Sequence, residues 1–258
     1  IAKRRQVVLW IHEPHPHYES MAYWKDDIQE GILQKNLKLY GVSSVARNIF
    51  LMNYRSKQMD ILPYGIPDEY QEKLQRKSRS FTFAMIGVIS KQKGQDIFWQ
   101  AIKKMGKEWE KCTFLLIGKN LKDSCGQMIK KVSHQYSNIQ LVGEISHEEV
   151  MKYWQKIDVL VVASREETLS IVATEALMLG KVCIVSEAAG IAKYITDYVN
   201  GLLFHSEDSD QLAEKMLWCI EHEDTLSKIG SRAREVYQSY FSMEIFGRNL
   251  NSAIHGNV

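Results

Sequence analysis

A chain of 258 residues, 45% hydrophobic and 25% charged, has the composition of a globular protein with length enough for a sizeable core and for more than one domain. Its formal net charge of +2 is too small to argue for nucleic acid as a partner. No stretch approaches the roughly eighteen apolar residues of a membrane-spanning helix, and four cysteines without a C-x-x-C pair point to reduced thiols and a cytoplasmic setting.

Residues 7–11 (VVLWI) read as a short apolar strand running into His12-Glu13-Pro14-His15-Pro16-His17. The prolines end the strand and keep the segment extended. No helical i, i+4 histidine pair is available there, so the segment reads as a polar loop and no metal is expected. Apolar periodicity predicts an amphipathic helix over 28–40, ended by Gly41, and another over 45–52. Two prolines and a glycine in 60–67 (DILPYGIP) break the pattern, and 68–80 (DEYQEKLQRKSRS) is polar, as an interdomain linker should be. Basic clusters at Lys3, Arg4, Arg5 and at Lys73, Arg76, Lys77, Arg79 read as solvated faces, with peripheral contact to anionic lipid as the functional alternative.

From Phe81 the chain alternates: strand 81–89, helix 95–105, strand 113–118, helix 124–135, strand 139–142, helix 147–157, strand 159–163. That alternation predicts an α/β domain with a parallel sheet covered by helices. Ser146 and Glu149 form a capping box ahead of the helix that carries Val150, Trp154 and Ile157. Helices over 211–221 and 226–240 follow the later strand 182–185.

Two loops carry chemistry. The first, residues 87–94 (GVISKQKG), sets lysine beside glycine at a helix start, where a cation can neutralise a diphosphate leaving group. The second lies in 163–186 (ASREETLSIVATEALMLGKVCIVS), a strand end, a polar loop, a helix and a second strand, whose helix start offers backbone amides to an anion. Glu167 falls in that loop, and Glu175 sits on an otherwise apolar helical row with Ile171 and Leu179, where a carboxylate must be paired or serve a ligand. Eight helical residues advance about 12 Å, longer than the roughly 5 to 9.5 Å between the carboxyls of a glycosidase pair. Two ends of one long ligand suit the spacing better.

Glu167, seven residues, then Glu175-Ala176, a small turn at Gly180 and a buried strand resemble the E-x7-E signature of the family 4 retaining glycosyltransferases. The resemblance implies a GT-B fold: a C-terminal Rossmann-like parallel sheet with helices on both faces, plus a partial N-terminal Rossmann-like domain. It places the partial acceptor-side domain at 1–67, the linker at 68–80, the nucleotide-sugar domain at 81–240, and a terminal helix crossing back at 241–258. It also implies further residues on the N-terminal side that carry the first strands and most of the acceptor site.

The same resemblance distributes the roles. Glu167 meets the donor sugar, Glu175 the ribose, Lys93 and the backbone amides of Thr168, Leu169, Ser170 and Ile171 the sugar and diphosphate, and His12, thirty residues before Val42-Ser43, the transferred sugar. Backbone near Gly118 and Ile145 would read the base, with Gly87 opening the phosphate loop. The catalytic set is thus His12, Lys93 and Glu167. The reaction implied is metal-independent hexosyl transfer with retention, from a UDP- or GDP-sugar to a glycan or lipid-linked acceptor, in polysaccharide biosynthesis, with no cofactor beyond the nucleotide-sugar itself. A cytoplasmic site, at the inner membrane face, goes with it.

Departures accompany the match, among them Tyr64 for an asparagine and Ala189 for a glycine. Val88 stands where the family has arginine, residues 168–170 lack the usual glycines, and Lys193 replaces an acid in the turn after Ser186. Asn200-Gly201-Leu202-Leu203 matches a hairpin-like family segment. The alternative function is a GT-B-like module that has lost transfer activity and binds nucleotide-sugar or supports a partner transferase.

Overall fold

The computed structural model describes residues 7–13, 25–32, 37–55, 58–70 and 80–255. The chain divides into two compact units, one formed by Ile1–Asp68, Glu167–Leu169 and Gln238–Val258, the other by Glu69–Glu166 and Ser170–Tyr237. Both basic clusters named above, residues 14–17 and most of the expected linker lie outside the described residues.

The first unit holds a parallel sheet of three strands in the order β1 (Val7–Ile11), β2 (Leu37–Gly41) and β3 (Asp60–Ile61). Its helices are α1 (Lys25–Ile32), α2 (Ser44–Asn53) and α9 (Met243–His255). The single helix expected over 28–40 is corrected here. The helix ends within Ile32, and Leu37–Gly41 is a strand whose five residues register with Val7–Ile11. Leu37 and Leu39 alternate with Lys38 and Tyr40, so period two governs, but the segment is too short to announce it against the helical spacing before it. Ile11, Ile32, Leu39, Phe50, Tyr54 and Met59 form the core. Ser43 caps α2 by accepting from the Ala46 amide. Helix α9 stacks Phe246 on Trp10 with centroids 5.2 Å apart, and Lys38 Nζ donates to the carbonyl of Ala253.

The second unit holds six parallel strands: β4 (Phe81–Ile86), β5 (Cys112–Ile117), β6 (Ile139–Gly143), β7 (Val159–Val162), β8 (Val182–Ser186) and β9 (Leu202–Phe204). They lie in the order β6-β5-β4-β7-β8-β9. The chain starts in the middle, builds outward to β6, and returns to build the other half from β7. The carboxyl ends of β4 and β7 flank that reversal, which is where open parallel sheets bind ligands. The residues of β4, β7 and β8 are buried almost without interruption, as strands covered on both faces must be.

The helices are α3 (Gln95–Lys104), α4 (Ser124–Gln135), α5 (His147–Tyr153), α6 (Ile171–Met178), α7 (Ser209–Glu221) and α8 (Leu226–Tyr240). Phe98, Ile102, Ile129, Leu212 and Met216 join strand residues such as Phe83 and Phe114 in the main core. Strands β4 and β5 stop earlier than expected because Gly87 and Gly118 each take φ 141°, which turns the chain out of the strand. Helix α5 ends at Tyr153, short of the expected Ile157. The Leu202–Phe204 segment is no hairpin: it pairs in parallel with β8, Ile184 opposite Leu202. All four cysteines are free and buried.

Candidate functional site

Three strands of the second unit end on glycines with positive φ, namely Gly87, Gly118 and Gly143. A Cβ on Gly118 would come within 2.0 Å of the Gly87 carbonyl oxygen, so these two strand ends approach as only glycine allows. The Gly118 amide in turn donates to the Gly143 carbonyl at 2.8 Å. The result is a carboxyl edge of bare backbone.

After Gly87 the chain passes through exposed Val88 into a 3₁₀ turn over Lys91–Lys93. Ser90 caps the turn by accepting from the Lys93 amide, and buried Gln95 braces it, its Oε1 accepting from the Ser90 amide and its Nε2 donating to the Val88 carbonyl. Gly94 follows at φ 78°, and a Cβ there would lie 2.0 Å from the Ala163 carbonyl oxygen. That close approach brings the lysine turn against the end of β7.

Arg165, next along from β7, fastens the two loops. Its amide donates to the Gln92 carbonyl at 2.9 Å and its Nη1 to the Lys91 carbonyl. Nη1 and Nη2 reach both carboxylate oxygens of Asp96 at 2.8 Å each, and Nε reaches Glu207 at 2.6 Å. Gln92 Nε2 donates back to the Glu166 carbonyl. These carboxylates hold the Arg165 pKa well above its ordinary value, Asp96 first. A guanidinium so engaged does not replace the arginine absent at Val88.

Helix α6 starts at Ser170, whose Oγ accepts from the Ala173 amide, and Ile171 is exposed at its first turn. From Ala173 onward the helix is buried, Glu175 included at 7% exposure. Burial pushes the Glu175 carboxyl above its ordinary range, opposed by His147, whose Nε2 lies 3.0 Å from Glu175 Oε1. His147 is the first residue of α5, placed by the capping box of Ser146 and Glu149. Half-buried Ile145 lies in the same β6–α5 connection.

The remaining residues named from the sequence fall in the first unit. His12, just past β1, packs beside Trp10 with centroids 4.2 Å apart and parallel to Tyr64 at 6.4 Å. Desolvation by such neighbours lowers its pKa, with Glu13 opposing. Glu167, Thr168 and Leu169 enter this unit as one short segment. Ser43 Oγ donates to the Thr168 carbonyl, Thr168 Oγ1 donates to Glu13 at 3.0 Å, and Tyr64 Oη donates to the Leu169 carbonyl at 3.2 Å.

Of the residues named from the sequence, Gly87, Lys93, Gly118, Ile145, Ser170, Ile171 and Glu175 belong to the second unit, and His12, Glu167, Thr168 and Leu169 to the first. A cavity of about 690 Å³ in the first unit, lined by Lys38, Tyr40, Asp60 and Asn249 among others, contains none of them. Sequence reading passed over Arg165, Asp96 and His147. Asp96, two residues past the lysine–glycine pair, carried a local signal; His147, 28 residues from its partner, carried none.

The glycosyl transferases group 1 family model matches residues 67–236. The chain belongs to that family. It is 32% identical over 164 residues to an uncharacterized glycosyltransferase of Methanocaldococcus jannaschii, a match covering 62% of this chain and 43% of that one. It is 22% identical over 237 residues to alpha-monoglucosyldiacylglycerol synthase of Acholeplasma laidlawii, covering 91% of this chain and 54% of the synthase. The chain thus spans about half or less of the length of these relatives. Among solved structures, Anabaena HepE in complex with UDP aligns over 98% of this chain and 73% of its own, with TM-score 0.81 and 17% identity. WaaG, a glycosyltransferase involved in lipopolysaccharide biosynthesis, aligns over 97% of this chain and 75% of its own, with TM-score 0.75. These likenesses make the fold an α/β architecture of GT-B type.

Proposed function

We propose that this chain is the nucleotide-sugar-binding part of a retaining, metal-independent hexosyltransferase acting from a UDP- or GDP-sugar on a glycan or lipid-linked acceptor. The observation that carries the reading lies at the sheet reversal of the second unit. There a lysine turn is fastened by Arg165 to the loop that leads toward α6, and a buried carboxylate waits on α6 itself. Such an edge suits a long anionic ligand with a diol at one end. HepE binds UDP according to its solved complex, and the Acholeplasma relative is named for a glycolipid product, which supports the donor and acceptor classes.

In this reading Lys93 and the amides of Ser170 and Ile171 hold the diphosphate and supply the positive field that a metal ion otherwise would. Glu175 holds the ribose, and backbone at Gly87, Gly118 and Ile145 faces sugar and base. Glu167, with the Thr168 and Leu169 amides, meets the donor sugar, and His12 the transferred sugar. Among the described residues no helix is long and apolar enough to cross a membrane. Peripheral contact at the inner face is proposed through the basic clusters of Lys3, Arg4, Arg5 and Lys73, Arg76, Lys77, Arg79.

Exposed Val88 favours a second reading, a GT-B module that binds nucleotide-sugar or supports a partner without transferring, because valine gives phosphate no guanidinium grip. Calorimetric titration with UDP- and GDP-sugars, repeated on Lys93→Ala and Glu175→Ala, tests the site. Saturable binding to one nucleotide class, lost in both variants, is the expected result. Folded protein that binds none of them would sink the donor assignment.

A further inference from the structure

Glu175 is an expensive residue for its position. It lies on a helix buried from Ala173 to Leu179, and among the described residues its carboxylate has one hydrogen-bond partner, the imidazole of His147. The other charge that acts on it, Glu69, is of like sign. The two halves of the pair differ sharply in exposure: the His147 side chain is 60% exposed and that of Glu175 only 9%. A buried ion pair kept for stability alone is commonly matched or bettered by apolar residues of similar volume. A carboxylate beneath an exposed imidazole has instead the layout of a ligand-binding group with its orienting partner.

His147 is itself held in place. Ser146 Oγ accepts from the Glu149 amide at 3.3 Å while Glu149 Oε2 accepts from the Ser146 amide at 3.0 Å, so the first turn of α5 is fixed on both sides of His147. The same short connection carries Gly143, at φ 87°, and Ile145, the residue assigned to the base. One connection thus carries the backbone proposed for the base and, two residues on, the imidazole that meets Glu175.

We propose that His147 is the positioning residue of the ribose subsite: by engaging one oxygen of Glu175 it fixes the carboxylate so that the other accepts from the 2′- and 3′-hydroxyls of the donor nucleotide. The proposal rests on the reading of Glu175 as the ribose ligand given above. A carboxylate held in one orientation accepts from both hydroxyls of a vicinal diol, and a second donor on it removes its rotational freedom before the ligand arrives. No bond is made or broken; the role is one of orientation.

Calorimetric titration of the whole chain with UDP and with 2′,3′-dideoxy-UDP, and with GDP and its dideoxy analogue in parallel, tests this on the wild type, His147→Ala, His147→Gln and Glu175→Gln. His147→Ala is expected to weaken the ribonucleotide roughly tenfold, the equivalent of one charge-assisted hydrogen bond, and to leave the dideoxy analogue unchanged. His147→Gln, which keeps a donor, should restore most of the loss. Equal weakening of both ligands by His147→Ala, or no weakening of either, overturns the positioning role. Failure of the parent reading looks different: the wild type then binds ribo- and dideoxynucleotides equally, or Glu175→Gln weakens neither, and the proposal falls with it.

Discussion

The guanidinium of Arg165 meets the carboxylate of Asp96 edge to edge, Nη1 to Oδ1 and Nη2 to Oδ2 at 2.8 Å each, across 69 residues of sequence. Both side chains are 22% exposed, so the pair is shielded from water without being sealed from it. Its position between the lysine turn and the loop after β7 makes it a structural tie for the candidate phosphate loop. Arg165→Met should cost about 1.5–3 kcal/mol of stability, the range for hydrogen bonds to charged groups. Arg165→Lys keeps the charge but not the planar fork, and should recover little of that loss. Chemical denaturation of both variants measures it; a lysine variant as stable as wild type would show that charge alone suffices.

Glu175 should make the protein's stability depend on pH. Burial raises its carboxyl above the ordinary value of 4.5. Between that value and the higher folded one, the folded chain keeps a proton that the unfolded chain has lost, so stability falls as pH rises through the window and remains lowered above it. Glu175→Gln removes the effect. Thermal melting should therefore show the variant at least as stable as wild type near neutral pH, with no such advantage at about pH 4, below the unfolded pKa. A glutamine variant that melts lower near neutral pH would mark Glu175 as a structural, paired carboxylate.

Gly94 resists substitution on two grounds. Its φ of 78° disfavours any side chain, and a Cβ would meet the Ala163 carbonyl oxygen at 2.0 Å. Gly94→Ala must move backbone, and should cost at least the roughly 1–3 kcal/mol of a strained left-handed residue. Loss of donor binding in a variant that still melts cooperatively would tie the Lys91–Lys93 turn to the ligand; unchanged binding would detach it.

His12 is expected to act in transfer and not in nucleotide binding. His12→Ala should lower kcat while leaving the affinity for free UDP or GDP unchanged, measured by transfer assay and titration on the same preparation. Its pKa is lowered from 6.5 by desolvation, so at that pH more than half of the imidazole is neutral. With neutral His12 as the active form, the midpoint of the acid-side loss of activity lies below about pH 6.5. A midpoint above that value would point to another group.

The interior of the second unit was legible because its signals are local. Continuous apolar strands, helices of 3.6 period and glycines at strand ends each arise within a dozen residues, so the βα alternation from Phe81 and the lysine–glycine loop could be read directly. Glu175 stood out for the same reason, as a carboxylate on an apolar helical row. Local pattern alone therefore specifies the α/β class, a parallel sheet, and the loops that carry charge.

The rest turns on pairings that distance along the chain conceals. Leu37–Gly41 is a strand only because Val7–Ile11 and Asp60–Ile61 lie beside it to complete its hydrogen bonds. Arg165 has partners that sequence spacing hides, Asp96 69 residues before it and Glu207 42 residues after it. Residues 167–169, contiguous with the second unit in sequence, belong to the first because Ser43, Glu13 and Tyr64 take up their polar groups. His147 and Glu175 sit 28 residues apart on different helices, and only the packing of α5 and α6 against their sheet puts an imidazole over a buried carboxylate. Local periodicity specifies which segments form; the hydrogen-bonding needs of buried polar groups specify which of them meet.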